Sequence, residues 1–264
     1  MLDAIIAAGG DPEKDAALLA HAGNVPHKAL IELDGQTSLE RVVSALLGSG
    51  RIGRIAVVGL SPELCPDLGP RVTFLPDAGG MLENGEAGVA YFRSTGGVSE
   101  RIVASSCDIP LITAEIVRGL IDQCLPYDVD FCYSIVSREV MEQAFPGSGR
   151  SFIPMADGWF AGGDIVVAKP GMLDSDKQKW RALIGGRKTV WKQVRVIGLG
   201  TLFLFAIRRL TIAGAERRAS RALGLTGKAI ISPYAEVAMD VDKPHHLDAV
   251  RAALVRQETG VQSG

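Results

Sequence analysis

Ala4-Ile5-Ile6-Ala7-Ala8-Gly9-Gly10 decides how this chain is read, together with Lys28-Ala29-Leu30-Ile31-Glu32-Leu33. Five apolar residues without a break, halted by two glycines, predict a strand buried on both faces, as in a parallel sheet, with a turn where it ends. Glycine carries no Cβ, so a phosphate can reach backbone N–H groups there and sit in an anion-binding concavity. Lys28 opens the second run, read as another strand, and an ammonium beside a phosphate cradle is what a nucleoside triphosphate requires. Taken alone, the glycine pair reads better as ordinary turn punctuation and Lys28 as a solvated charge.

The rest of the first half repeats the strand pattern. Ile55-Ala56-Val57-Val58-Gly59, Val72–Leu75, Arg101–Ser106 and Asp130–Val136 read as further strands. Between them lie helical patterns from Thr37 or Ser38 to Leu47, at Glu83–Phe92 and at Thr113–Cys124, the first capped by Thr37 or Ser38 and the last by Thr113. Gly9–His27 reads as a long loop, with one or two helical turns at Asp15–His21. Alternation of strand and helix predicts an α/β fold: a Rossmann-like, mostly parallel twisted sheet with helices on both faces. Ligands of such sheets lie beyond the carboxyl ends of the strands, where both Gly9-Gly10 and Asp108 fall.

The second half is less regular. Phe152–Asp157 and Trp159–Ala168 predict a hairpin around Asp157-Gly158. Leu173–Leu183, Val190–Ala206 and Ala213–Leu223 read as helices, Lys228–Ile231 and Glu236–Met239 as short strands, and Pro244–Arg256 as a closing helix. The expected organisation is one domain over 1–264, with 1–136 the nucleotide-binding half and 137–264 the acceptor-side and closing half. A homodimer is compatible with it.

Composition excludes several classes of function. A formal net charge of −2 gives no reason to expect a nucleic-acid partner. Cys65, Cys107, Cys124 and Cys132 are irregularly spaced and form no C-x-x-C pair, so neither a zinc site nor a disulfide framework is indicated. Val196–Ile207 is too short to span a membrane, and Leu2–Ala8 lacks the features of a secretory signal. A cytoplasmic location is expected.

Ala7-Ala8-Gly9-Gly10, Lys28-Ala29-Leu30-Ile31 before Asp34-Gly35-Gln36, Ser106-Cys107-Asp108-Ile109-Pro110-Leu111 and Asp240-Val241-Asp242-Lys243-Pro244 occur in that order over nearly the whole chain. The series resembles the MobA-like nucleotidyltransferases, which include the enzymes making molybdopterin dinucleotides and methylerythritol cytidylyltransferase. The resemblance implies transfer of a nucleoside monophosphate from an NTP to a phosphorylated small molecule, releasing pyrophosphate. It implies nucleotide contacts from Ala7, Ala8, Gly9, Gly10, Lys28, Asn84 and Asp108, with Lys28 and Asp108 catalytic. It also implies Mg²⁺ on Asp108, with Asp242 the second ligand; a helix cap is an equal reading of Asp242, and Asp240 stands behind it. Gly163 and Asp164, in Gly162-Gly163-Asp164, match an acceptor-side motif in which the family has asparagine for the aspartate. Arg150, Arg187, Lys188 and Lys192 are candidate contacts for a phosphorylated acceptor, against a solvated basic face. His245-His246 reads as surface.

One departure stands out. Familiar members carry a serine and an Arg-Met pair in the glycine-rich loop, whereas this chain has Asp11-Pro12-Glu13-Lys14 and no arginine before Arg41. Lys14 is the candidate substitute. Two rivals remain. A glycosyltransferase using an NDP-sugar would employ the D-x-D spacing of Asp128-Val129-Asp130 or Asp240-Val241-Asp242. A non-catalytic nucleotide-binding regulator would account for the altered loop.

Overall fold

The computed structural model describes residues 1–174 and 198–258. Its main sheet runs in the order β10-β7-β9-β6-β1-β4-β5. The strands are β1 (Leu2–Ala7), β4 (Ile52–Val58), β5 (Val72–Leu75), β6 (Ile102–Ser106), β7 (Phe131–Ser137), β9 (Gly158–Ala168) and β10 (Gly227–Ser232). β1 pairs in parallel with β4 on one side and β6 on the other. Only β9, between β6 and β7, runs antiparallel within this order, and β8 (Ile153–Met155) extends it as a hairpin. The fold is therefore the expected mostly parallel, Rossmann-like α/β sheet.

Ala4, Ile5 and Ile6 are buried, which is why β1 reads as an unbroken apolar run. Among the described residues the helices are α1 (Pro12–His21), α2 (Ser38–Gly48), α3 (Met81–Ser94), α4 (Ala114–Gln123), α5 (Arg138–Ala144), α6 (Leu199–Ala206), α7 (Ile212–Leu223) and α8 (Pro244–Glu258). α2 opens with a full capping box, Thr37 and Glu40 each bonding the other's backbone N–H. α2 and α4 cover one face of β1, joined in a core that includes Leu39, Val42, Leu46, Val117 and Leu120. α3 covers the other, setting Val89 and Phe92 against Ile5, Ala56 and Val58. No helix among the described residues is long and apolar enough to cross a membrane.

Three expectations are corrected. Lys28–Leu33 is not a strand of the sheet: Lys28–Leu30 forms a 3-10 turn, and Glu32–Leu33 is β2, half of a two-residue ribbon with β3 (Gln36–Thr37). His27 nucleates that turn, its ring Nδ1 accepting from the Ala29 N–H at 3.1 Å. The loop after Gly10 is mostly helix, α1, because Asp11 caps it and Pro12 stands at its first position. Ala235–Ala238 is a 3-10 turn where Glu236–Met239 suggested a strand. Of the helix expected at Leu173–Leu183, Leu173 and Asp174 belong to a 3-10 turn and the rest lies outside the described residues, as does the first part of Val190–Ala206.

Candidate active site

Six parallel strands point their carboxyl ends to one edge of the sheet, and the predicted residues gather there. β1 ends at Ala7, and Gly9 and Gly10 follow it; β6 ends at Ser106, two residues before Asp108. Asp108 is only 3% exposed, and its carboxylate accepts from the Ser106 hydroxyl. Lys28, raised into place by the 3-10 turn, donates from Nζ to Asp108 Oδ2 at 2.5 Å and to Asp242 Oδ1 at 3.1 Å. Three residues separated by as many as 214 positions thus meet at one ammonium group. Burial opposes the charge on Lys28, but Asp108 and then Asp242 outweigh it and hold the amine above its ordinary range. Asp242 is raised by burial, but Lys28 brings it below the usual carboxylate range.

Asp240 takes a different partner. It forms an ion pair with Arg150, whose side chain is mostly buried. Burial first, and then the charges of Asp108 and Asp242 against the pull of Arg150, push its carboxyl upward. Asp164 also bears on Arg150 electrostatically, so Arg150 faces acidic groups from two segments, β9 and the stretch that holds Asp240 and Asp242. The expectation for His245-His246 fails in part. His246 is 3% exposed, its Nδ1 accepts weakly from the Asp242 N–H, and burial together with Arg150 pushes its pKa down to about 4.

The glycine cradle is narrower than expected. The Ala8 N–H is consumed by Val58 O at 2.8 Å, which leaves the Gly9 and Gly10 amides donating to no backbone carbonyl among the described residues. Asn84 is buried beside Gly9. It donates to Asp77 Oδ1 at 2.8 Å and accepts from the Ala78 N–H at 2.7 Å, so it ties the loop after β5 to the start of α3. Lys14 pairs with Asp11, the residue that caps α1. Gly163 packs against Ser134 of β7, where any Cβ would collide with the serine hydroxyl. Lys188, with Arg187 and Lys192, lies outside the described residues.

Two residues at the cradle were not singled out from the sequence. Gly59 ends β4 at φ +107°, and a Cβ there would lie 2.5 Å from Gly9 N, so only glycine lets the two loops touch. His27 places Nε2 2.7 Å from where a Gly10 Cβ would stand. Its signal in the sequence was only adjacency to Lys28. Asp130 belongs elsewhere: it starts β7 at the opposite end of the sheet, bonded to Lys169 and Thr226, and so provides no D-x-D chelate beside Asp108.

A model of the MobA-like NTP transferase domain matches residues 4–219. The chain belongs to the MobA-like NTP transferases. A hypothetical transferase from Thermus thermophilus is similar at 32% identity and TM-score 0.77, covering 93% of this chain and 99% of that one. A nucleotidyl transferase from Methanothermobacter shares the fold at 18% identity and TM-score 0.58, covering 97% and 99%. CMP:2-keto-3-deoxy-manno-octonic acid synthetase complexed with CTP shares it at 13% identity and TM-score 0.57, covering 97% and 98%. No curated protein matches the sequence at a significant level. As a MobA-like transferase, the protein carries its acidic residues and lysine at the edge of the sheet where such folds bind ligands.

Proposed function

We propose that this nucleotidyltransferase moves a nucleoside monophosphate from an NTP to a phosphorylated small molecule, with Mg²⁺ and with release of pyrophosphate. The observation that carries the proposal is the convergence of Asp108 and Asp242 on Lys28 Nζ beside Gly9-Gly10. Oxygen-only donors aimed at one point suit a hard divalent ion, and two carboxylates are the usual protein share of a Mg²⁺ site whose other ligands are phosphates and water. Asp164 and Asp240 add negative charge nearby against Arg150, so a polyanionic substrate needs a further cation here. When bound, Mg²⁺ would act as a Lewis acid toward the phosphate oxygens.

The chain's own residues supply alignment and charge, which is most of what phosphoryl chemistry requires. The Gly9 and Gly10 amides donate to the triphosphate. Lys28, freed from one of its carboxylates, neutralises charge on the α-phosphate and the departing pyrophosphate. Asp77 and Asn84 fix the loop that closes the nucleotide side. Arg150 reaches the acceptor's phosphate from the opposite side, with Gly163 and Asp164 forming the neighbouring wall.

The test is incubation of the protein with each of the four NTPs, Mg²⁺ and a panel of sugar and polyol phosphates, reading pyrophosphate. The expected result is acceptor-dependent pyrophosphate that disappears with EDTA and in Asp108→Ala. Free NDP from an NDP-sugar, without pyrophosphate from any NTP, would establish the glycosyltransferase reading instead. NTP binding untouched by Asp108→Ala and Lys28→Ala, with no pyrophosphate, would establish the regulatory one.

A further inference from the structure

A cavity of about 400 Å³ opens at the other end of the sheet, lined by Glu100, Arg101, Asp130, Lys169, Met172 and Leu225 among others. This size is at the lower end of what small-molecule sites use. Arg101 immediately precedes β6, whereas Asp108 follows it, so the cavity lies about 20 Å from the carboxyl-end cluster at ordinary strand rise.

Arg101 is the unusual member. It is 3% exposed, and its guanidinium forms no ion pair among the described residues. Nη2 donates to the carbonyls of Tyr127 and Val129, and the group stacks over the Tyr127 ring at 5.3 Å. One carboxylate on the cavity wall, Asp130, is already spent. Asp130 Oδ1 accepts from Lys169 at 2.8 Å, and Oδ2 accepts from both the Thr226 N–H and its hydroxyl. Those bonds, led by that from Lys169, hold the Asp130 carboxyl down at about 2. Glu100 is exposed and forms no ion pair among the described residues. A guanidinium withdrawn from water without an ion-pair partner is costly, and Lys169 adds a second cation with donors to spare. Met172 and Leu225 supply an apolar wall beside them.

We propose that this cavity is a second ligand site, separate from the nucleotidyl-transfer site, which takes a small organic anion. Its carboxylate or phosphate head lies between Arg101 and Lys169, and a short apolar body rests against Met172 and Leu225. A planar oxyanion matches the fork of the guanidinium, and the two cations together favour a singly or doubly charged head.

The experiment measures binding by calorimetry with three probes, benzoate, phenyl phosphate and inorganic phosphate, on the full chain. The first two separate a carboxylate from a phosphate head, and the third asks whether the apolar body matters. The expected result is saturable binding of benzoate or phenyl phosphate, tighter than inorganic phosphate. Lys169→Gln should weaken it about tenfold, the size of one charge-assisted hydrogen bond. Leu225→Trp, which fills the apolar wall, should abolish it. Arg101→Gln should also abolish it if the variant folds by circular dichroism, and the other two variants decide the matter if it does not. Asp108→Ala should leave it unchanged, so loss of transfer activity and loss of this site are read separately. No saturable binding of any probe would overturn the proposal, as would binding that survives Lys169→Gln and Leu225→Trp together or that is lost in Asp108→Ala.

Discussion

Replacing Lys28 by methionine tests the charge balance at the carboxyl edge of the sheet. The substitution keeps most of the stem volume and removes the ammonium that Asp108 and Asp242 share. Breaking a buried ion pair from one side costs about 3–5 kcal/mol, because the partner charge is stranded. Asp108 is such a partner, its side chain 5% exposed, although the Ser106 hydroxyl remains to it. Asp242, with its side chain 52% exposed, adds little, as surface pairs are worth about 0–1 kcal/mol. The lower end, about 3 kcal/mol, is therefore expected, which for a chain of this size lowers Tm by about 6–12 °C. Without the ammonium the two carboxylates are open to a cation, so Mg²⁺ should restore most of the loss by mass action and should stabilise the variant more than the parent. Differential scanning fluorimetry with EDTA and with Mg²⁺ reads both effects. A variant within about 2 °C of the parent in EDTA, or one that Mg²⁺ stabilises no more than the parent, would refute the reasoning.

Gly59→Ala should cost stability and weaken NTP binding together, since its Cβ would lie 2.5 Å from Gly9 N at a φ of +107°; thermal melts and nucleotide titration check it. Arg150→Met strands Asp240, whose carboxyl burial already pushes upward. A raised carboxyl means the folded state binds more protons, so this variant should be markedly destabilised at pH 7.5 and recover as pH falls to 5, which melts across pH would show. Asp130 runs the other way. Its carboxyl sits at about 2 against an ordinary 3.8, so its contribution is present above pH 4 and disappears as pH falls toward 2. Asp130→Asn should flatten the acid limb of the parent's stability curve, being less stable than the parent at neutral pH and converging on it near pH 2.

Much of this architecture was legible because β1, β4, β5, β6 and β7 are short apolar runs stopped by glycine, serine or proline, and buried parallel strands carry that signature whatever surrounds them. The end-of-strand position of Asp108 was readable for the same reason. Lys28 was placed correctly in space but not in structure. A histidine ring cap turned Lys28–Leu30 into a 3-10 turn, and apolar letters alone do not distinguish that from a strand. α1 was underestimated, although Asp11 followed by Pro12 is a helix start written in the sequence. That start also explains why Lys14 pairs with Asp11. The partition of the D-x-D pair, Asp242 to Lys28 and Asp240 to Arg150, depends on Arg150 returning from 90 residues away. The touch of Gly59 on Gly9 follows from the pairing of β1 with β4. No local pattern reports such meetings.

Calorimetric titration of Mg²⁺-NTP into the parent, Lys28→Met and Asp108→Ala tests the central claim most directly. The account predicts that at least one of the four NTPs binds the parent only with Mg²⁺, that Asp108→Ala removes this Mg²⁺ dependence, and that Lys28→Met weakens affinity about tenfold or more. Equal affinity in all three proteins, or binding indifferent to Mg²⁺ in the parent, would contradict it.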